Sequence, residues 1–357
     1  MIELTTLRDG GQSAESIAQR LFAFLEAATT SLDIAIYDIR VRAALEEQGR
    51  DILRRAVARG VKVRLVYELE EPGRDPVPAP PTTEPSVLEA EPFLTHGVAT
   101  TMGLMHHKYV VRDGRSVWTG STNWTEDSWT RQENVIVTVD SAEVATAYTL
   151  NFEELWAART VESTGDVQPR PVDVDGREVR AWFCPGHGDA LAHRIAKHLA
   201  RARRRIRIAS PVLTSAPILA TLVEVVKERR CDLAGIVDDT QVDQVFFQWR
   251  DNGVSAWKIP LLHAVLTGAD FSGKVSTPWT PDSVHDFMHA KITVADDVVF
   301  AGSFNLSRSG ERNAENVLEI HDPALAEQAA AFIDTIRHAY PRATPPDVRH
   351  ATASASS

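Results

Sequence analysis

The chain has little cysteine, no long apolar run and no excess of positive charge. Cys184 and Cys231 are the only cysteines among 357 residues, which argues against a disulfide framework or a cysteine zinc cluster. No apolar stretch approaches the roughly 20 residues that span a bilayer, and the first residues lack the charged-then-apolar order of a signal peptide. We therefore expect no transmembrane segment and a cytoplasmic, reducing setting.

Acidic residues outnumber basic ones, 49 to 38, and the net charge is −11. This charge argues against a protein that coats nucleic acid over its whole surface. It remains compatible with a local cationic groove, because steering of an anionic ligand depends on the field at the cleft.

Two copies of one α/β pattern occupy most of the chain. In each copy a helix-like segment precedes an apolar strand, and a second helix and strand follow; the first strands cover residues 32–40 and 206–214, and the second cover 61–68 and 231–239. These strands are rich in Val, Ile, Leu and Ala, as parallel strands covered on both faces should be. The pattern predicts two repeats, residues 1–160 and 178–342, joined by a linker at 161–177.

Two segments interrupt or follow the repeats. Residues 71–92 are rich in proline and acidic residues, which predicts an insertion without regular structure, either plainly disordered or flanking a cleft. Residues 343–357 end in "ATASASS", a composition that predicts a disordered tail.

A polar motif recurs at matching positions of the two repeats. "MHHKYVVRDGRSVWTGSTNW" at residues 105–124 matches "MHAKITVADDVVFAGSFN" at 288–305, and each is followed by Glu-Asn-Val at 133–135 and 315–317. Alternation along a strand would place His106 and Lys108 on one face, and likewise His289 and Lys291. Two copies whose spacing differs by no more than one residue indicate one shared function rather than coincidence.

The paired motif suits displacement at a phosphodiester. Two lysines and the amides of Asn123 and Asn305 can surround the non-bridging oxygens and stabilise a pentacoordinate transition state. One neutral histidine can attack phosphorus while a protonated histidine opposite protonates the departing alkoxide. In-line attack needs the two histidines on opposite sides of one phosphorus, and face-to-face packing of the repeats would provide this.

These residues resemble the phospholipase D superfamily, which carries two His-x-Lys-x4-Asp motifs, and the likeness extends over both repeats. The resemblance implies an α/β fold of two pseudo-symmetric phospholipase D-like α/β/α sandwich repeats packed face to face. The context "HHKYVVRDGRSVWTGSTNWT…ENVIV" is most similar to the nuclease branch, the Zucchini-type and small bacterial endonucleases. Those proteins resemble one repeat and form their site by dimerising, so we expect a monomer of this chain to suffice.

The resemblance also implies roles for the motif residues. His106 would be the nucleophile and His289 the general acid and base, with Lys108, Lys291, Asn123 and Asn305 holding the phosphate. Glu133 and Glu315 would accept hydrogen bonds from the far ring nitrogens of the histidines. The residues expected to support local structure are Asp113, Asp296, Ser121, Ser303, Gly120 and Gly302. No metal or other cofactor is implied, since the lysines supply the positive charge.

Other residues near the motifs are expected to be structural. We expect His107 to pack or lie at the surface. Trp118, Trp124 and Trp129 are expected to pack in the core rather than to stack on bases. His285 could line the cleft, but an incidental position near His289 is preferred. A nuclease acting on DNA or RNA is the preferred function. The alternative is a phospholipase D or phosphatidyltransferase acting on phospholipid head groups, and a catalytically dead scaffold is a minor alternative.

Overall fold

Two mixed β-sheets with the same strand order form the frame of the protein. The computed structural model describes residues 1–69, 91–101, 103–278 and 283–345. The predicted insertion at 71–92 therefore lies outside the described residues except for its last two, and so does the predicted tail from residue 346 onward. Within the described part of the chain, no helix has the length and apolar character required to cross a membrane.

The N-terminal repeat contains nine strands and four helices in its described part. They are β1 (Ile2–Leu7), α1 (Ala14–Glu26), β2 (Ser31–Ile36), β3 (Ile39–Arg40), α2 (Ala43–Ala58), β4 (Lys62–Glu68), β5 (Leu94–Val98), β6 (Lys108–Arg112), β7 (Ser116–Gly120), β8 (Trp124–Thr125), α3 (Glu126–Thr130), β9 (Asn134–Asp140) and α4 (Ala142–Ala158). The sheet has the order β1-β9-β7-β6-β2-β4-β5, and β3 pairs with β8 separately.

The C-terminal repeat follows the same plan, and one further strand precedes it. Its elements are β10 (Val172–Val174), β11 (Arg177–Cys184), α5 (Gly188–Arg201), β12 (Arg205–Ala209), α6 (Ala216–Glu228), β13 (Asp232–Asp238), α7 (Asp239–Asn252), a 3-10 helix (Ala256–Lys258), α8 (Ile259–Gly268), β14 (Asp270–Lys274), β15 (Ile292–Ala295), β16 (Val298–Gly302), β17 (Glu315–His321) and α9 (Pro323–His338). The order is β10-β11-β17-β16-β15-β12-β13-β14. Apart from β10, which lies in the predicted linker, each strand occupies the place of its counterpart in the first sheet.

The helices and sheets form five layers. One hydrophobic cluster packs α1 and α2 against the outer face of the first sheet, and another packs α5, α6 and α8 against the outer face of the second. A third cluster lies between the sheets and contains side chains from α4, α9 and both inner faces, including Tyr148, Phe152 and Ile333. Apolar side chains on both faces of the sheets account for the Val- and Ile-rich strands. The two repeats therefore share one central core, and the predicted fold class is confirmed.

The motif residues lie where chain segments of the two repeats meet. Isolated bridges join Met105 to Ala314 and Met288 to Glu133, so the residue before each motif histidine pairs with the opposite repeat. The strand β6 begins only at Lys108, and β15 begins after Lys291. The histidines therefore precede the strands rather than lying within them, because their backbones pair across the interface instead of within their own sheet.

Candidate active site

His106 and His289 face each other across the junction of the two repeats. Their ring centroids are 6.5 Å apart, a separation compatible with both rings flanking one phosphorus atom. Both line an open cleft of about 200 Å³. The other lining residues include Tyr37, Asp38, Arg40, Asn123, Asp127, Pro211, Gln241, His285, Phe287, Lys291 and Asn305. The interface thus brings both halves of the repeated motif into one site.

The two motif lysines have equivalent positions. Nζ of Lys108 donates to the backbone carbonyl of His106, and Nζ of Lys291 donates to that of His289, each at 2.6 Å. Both lysines are buried. Burial lowers the pKa of Lys108 to about 7 and that of Lys291 well below its usual value, with Lys108 adding to the latter effect. An anionic substrate between them would restore the charged forms, because an opposite charge favours protonation of an amine.

The two asparagine amides supply polar groups without protein partners. Oδ1 of Asn123 and Oδ1 of Asn305 are buried at the cleft, and neither accepts a hydrogen bond from the described part of the chain. A buried polar atom without a partner is costly unless a ligand or water satisfies it. Each oxygen is therefore suited to accept a hydrogen bond from water or from a donor group of a substrate in the cleft, whereas a phosphate oxygen would have to be bound by the NH2 group of the same amide.

The two histidines have different hydrogen-bond partners. Nδ1 of His106 lies 2.9 and 3.0 Å from the two carboxylate oxygens of Glu315, as the resemblance implied. Nδ1 of His289 lies 3.1 Å from Oδ1 of Asn134, not from Glu133. In each case an oxygen acceptor places the proton on Nδ1 of the neutral ring and leaves Nε2 as the basic nitrogen.

Glu133 differs from the sequence-based expectation. Its carboxylate accepts a hydrogen bond at 3.0 Å from the buried Nζ of Lys274 and another from the hydroxyl of Tyr340. Only its backbone carbonyl contacts His289, from whose amide it accepts at 3.2 Å. Met105 pairs with Ala314, the residue just before Glu-Asn-Val in the second repeat, whereas Met288 pairs with Glu133, the first residue of Glu-Asn-Val in the first repeat. The two pairings across the interface are therefore offset by one residue. Because of this offset, the side-chain amide of Asn134, and not the carboxylate of Glu133, lies next to Nδ1 of His289.

Asn134 is held rigidly in that position. Its Oδ1 also accepts from the hydroxyl of Ser121 at 2.7 Å, and its Nδ2 donates to the carbonyl of Ser128 at 3.1 Å. Because the hydroxyl of Ser121 donates to Oδ1 and the carbonyl of Ser128 accepts from Nδ2, the oxygen of the Asn134 amide is the end that faces His289. The sequence analysis missed this residue, although the repeated Glu-Asn-Val motif already contained it.

Burial and nearby positive charges keep both imidazoles neutral in the free protein. Desolvation, followed by the charges of Lys108 and Lys291, lowers the pKa of His106 well below its usual value. Desolvation and the same two lysines lower the pKa of His289 as well. Burial raises the pKa of Glu315 to about 7. A neutral His106 is the form that can attack phosphorus.

The aspartates, serines and glycines of the motifs support the backbone. The carboxylate of Asp113 accepts hydrogen bonds from the amides of residues 29–31, and that of Asp296 accepts from the amides of residues 203–205. The hydroxyl of Ser121 accepts from the amide of Val135, and that of Ser303 accepts from the amide of Asn316. A Cβ at Gly120 or Gly302 would lie 2.1 or 2.0 Å from a carbonyl oxygen of the neighbouring strand, so only glycine fits. None of these aspartates or glycines lines the cleft.

The remaining histidine and tryptophan expectations are mostly correct. His107 is fully buried, and its Nδ1 lies 3.2 Å from Oδ1 of Asn316. Trp118, Trp124 and Trp129 are buried in the outer core of the first repeat. His285 differs from the expectation, because it lines the cleft beside Phe287. Its spacing of four residues from His289 was the only signal of this position.

Comparisons with known proteins agree with this site. The family model described as "Cardiolipin synthase, PLD-like domain" matches residues 21–156 and 195–337, one segment in each repeat. The chain belongs to this family and hence to the phospholipase D superfamily.

Named relatives cover part of the chain. The mitochondrial cardiolipin hydrolase of Xenopus tropicalis is 32% identical over 151 residues, 40% of this chain and 62% of that protein. The protein of the same name from Chlamydomonas reinhardtii is 28% identical over 142 residues, 38% of this chain and 56% of that protein. The chain thus spans about three fifths of the length of these relatives.

One solved structure covers nearly the whole chain. The phosphatidylserine synthase of Haemophilus influenzae Rd KW20 has a TM-score of 0.64, covers 94% of this chain and 85% of its own, and is 14% identical. At this identity the likeness shows the shared two-repeat fold.

Proposed function

We propose that the protein is a phosphodiesterase that acts on phospholipid head groups through a phosphohistidine intermediate. The observation that carries the chemistry is the pair of histidines 6.5 Å apart across one cleft, each with an oxygen acceptor behind Nδ1. The lipid substrate is supported by the relatives named cardiolipin hydrolase. The sequence-based preference for nucleic acid has no specific support, and the net charge of −11 opposes it.

The reaction would proceed in two steps, formation and hydrolysis of the phosphohistidine. Nε2 of His106 attacks phosphorus and forms a P–N bond as the P–O bond to the head-group alcohol breaks. His289, protonated once the anionic phosphate raises its pKa, gives its proton to the departing oxygen. Neutral His289 then takes a proton from water, whose oxygen attacks phosphorus and releases His106 and a phosphatidic acid. An alcohol in place of water would give transfer instead of hydrolysis.

The surroundings of the histidines suit these roles. The carboxylate of Glu315 stabilises positive charge on the ring of His106 as it becomes phosphorylated. The amide of Asn134 carries no charge, so it orients His289 without holding the proton that this residue must release. Lys108 and Lys291 offset the charge on the phosphorane oxygens, and we therefore expect activity without a divalent metal.

A substrate panel in EDTA tests the proposal. The substrates are cardiolipin and phosphatidylcholine vesicles, single- and double-stranded DNA, RNA, and bis-p-nitrophenyl phosphate. We expect head-group release from phospholipid by the wild type and none by His106→Ala. The matched control is His193→Ala, which removes an exposed histidine on α5. Turnover of nucleic acid without turnover of either phospholipid would establish the nuclease alternative, and loss of all activity in EDTA with rescue by Mg²⁺ would establish metal-ion catalysis.

A further inference from the structure

Exposed apolar side chains are concentrated in one stretch of the chain. Among the described residues, nine large apolar side chains are more than a third exposed, and five of these lie between residues 247 and 284. The five are Phe247 (70% exposed), Val254 (80%), Trp257 (56%), Val275 (70%) and Val284 (50%). Scattered apolar residues at a surface are ordinary, but a concentration in one region marks an interaction site.

The first three of these residues lie on a segment that begins and ends beside the cleft. Gln241, in the first turn of α7, lines the cleft. At the other end, Nζ of Lys258 donates to the carbonyl of Thr214 at 2.9 Å, three residues beyond the cleft-lining Pro211. The α7 helix therefore begins at the cleft and the 3-10 helix ends against the loop that follows Pro211, and Phe247, Val254 and Trp257 are exposed along the segment between these two points.

The two valines lie in chain segments that also adjoin the cleft or the start of α7. Val275 precedes Ser276, whose hydroxyl donates to Asp238 at the start of α7 and whose carbonyl accepts from Thr240. Val284 precedes His285, which lines the cleft. We call Phe247, Val254, Trp257, Val275 and Val284 the rim patch.

We propose that the rim patch inserts into the surface of a phospholipid bilayer and so presents head groups to the cleft. This inference rests on the proposed function and names the physical form of its substrate. A phospholipid keeps its acyl chains in the bilayer, so the cleft must approach the bilayer surface for the phosphodiester to reach His106. Apolar side chains beside the cleft lower the free energy of that approach by leaving water, and Trp and Phe are typical of the apolar face of helices that lie in a membrane interface.

The charges near the patch indicate an apolar mode of binding. Between residues 239 and 258 the chain carries three aspartates, one arginine and one lysine, so this segment has no excess of positive charge. The chain as a whole is acidic, and an anionic membrane would repel it. We therefore expect binding to neutral, zwitterionic vesicles and little weakening by salt, since screening acts on charge–charge attraction and not on apolar burial.

The test measures vesicle binding apart from catalysis. Phe247→Ser/Trp257→Ser is compared with Leu94→Ser/Leu150→Ser, which removes two apolar side chains of β5 and α4 that are more than half exposed and do not line the cleft. Cosedimentation with phosphatidylcholine vesicles is measured in EDTA at 0.1 and 0.5 M NaCl. We expect the rim variant to bind at least tenfold more weakly than wild type at both salt concentrations, and the control to bind like wild type. Thermal melting and bis-p-nitrophenyl phosphate hydrolysis of both variants should match wild type.

The possible outcomes separate this inference from the proposed function. Patch-dependent vesicle binding without phospholipid turnover supports the patch and refutes the function. Phospholipid turnover with equal vesicle binding by wild type and rim variant supports the function and refutes the patch. Absence of vesicle binding by the wild type also refutes the patch. So does a wild-type dimer that the rim substitutions dissociate while vesicle binding is unchanged, because the patch would then be an interface between copies of the chain.

Discussion

Nδ1 of His289 donates to the side-chain oxygen of Asn134 at 3.1 Å, whereas its counterpart His106 faces the carboxylate of Glu315. The two repeats thus give their histidines a neutral and an anionic partner. An anionic partner stabilises the imidazolium form, and a neutral amide fixes the tautomer with a weaker effect on charge. This difference makes the two histidines experimentally distinguishable.

Replacing Asn134 with aspartate should give His289 an anionic partner. Asn134→Asp should raise the pKa of His289 and move the alkaline limb of kcat/KM for a phospholipid to higher pH, because the general acid keeps its proton longer. The measurement is the pH profile of head-group release. Glu133→Gln is the matched control and should leave the limb in place, since its carboxylate contacts Lys274 and Tyr340. An equal shift in Glu133→Gln would make Glu133 the partner of His289 in solution.

Removal of each histidine should affect two substrates differently. His289→Ala should lose far more activity on a phospholipid than in the first step with an aryl diester, because p-nitrophenolate leaves without a proton. His106→Ala should lose both activities, by about 10³-fold or more. Rapid quench of a single turnover with the aryl diester should trap phosphate on His106 of the His289→Ala variant. Phosphate on His289 of the wild type would reverse the two roles.

The charge of Lys108 should depend on pH within the physiological range. Its pKa is lowered to about 7 by burial, so the free protein loses this positive charge as the pH rises through 7. We expect kcat/KM for bis-p-nitrophenyl phosphate to fall over that range. Lys108→Arg should be less active than the wild type at neutral pH. Because arginine keeps its charge, the activity of this variant should not fall until a higher pH. An unchanged profile in this variant would assign the limb to Lys291 or another group.

Asp113 should contribute to stability and not to the chemical step. Its carboxylate accepts hydrogen bonds from residues 29–31, which lower its pKa to about 2. Asp113→Asn should destabilise the fold by roughly 1.5–3 kcal/mol at pH 7, the range for hydrogen bonds to a charged group. Because the pKa is lower in the folded protein, this contribution is present above about pH 4 and is lost as the pH falls toward 2. Thermal melts of the wild type and of Asp113→Asn from pH 2 to 7 measure the effect. A kcat of Asp113→Asn that differs from the wild-type kcat would contradict a purely structural role.

A single chain should contain a complete active site. Both histidines and both lysines come from one polypeptide, and the repeats share a central core. Specific activity should therefore stay constant on dilution from micromolar to nanomolar protein, as measured with a fluorescent aryl diester. A fall in specific activity that parallels dissociation in sedimentation runs would show that assembly is required.

Much of the fold and the centre of the site could be predicted because both are repeated in the sequence. The repeated His-x-Lys, Gly-Ser-x-Asn and Glu-Asn-Val motifs placed His106 opposite His289, and the resemblance to the phospholipase D superfamily identified Glu315 as a partner of a histidine. The partner of His289 could not be predicted, because Glu133 and Asn134 are adjacent and the pairing across the interface decides which one faces the ring. The side chain of Glu133 instead contacts Lys274 of β14 and Tyr340 just after α9, and no local sequence pattern relates such distant residues.

The one-residue offset between the two interface pairings also determines how a substrate can be oriented. In a strictly symmetric homodimer, an isologous interface would give both histidines the same partner, and a phosphodiester could bind in two equivalent directions. Here the two ends of the cleft differ, with a carboxylate behind one histidine and an amide behind the other. A phosphodiester bound between them would present its two ester oxygens to unlike histidines, so its two directions of binding would differ in energy.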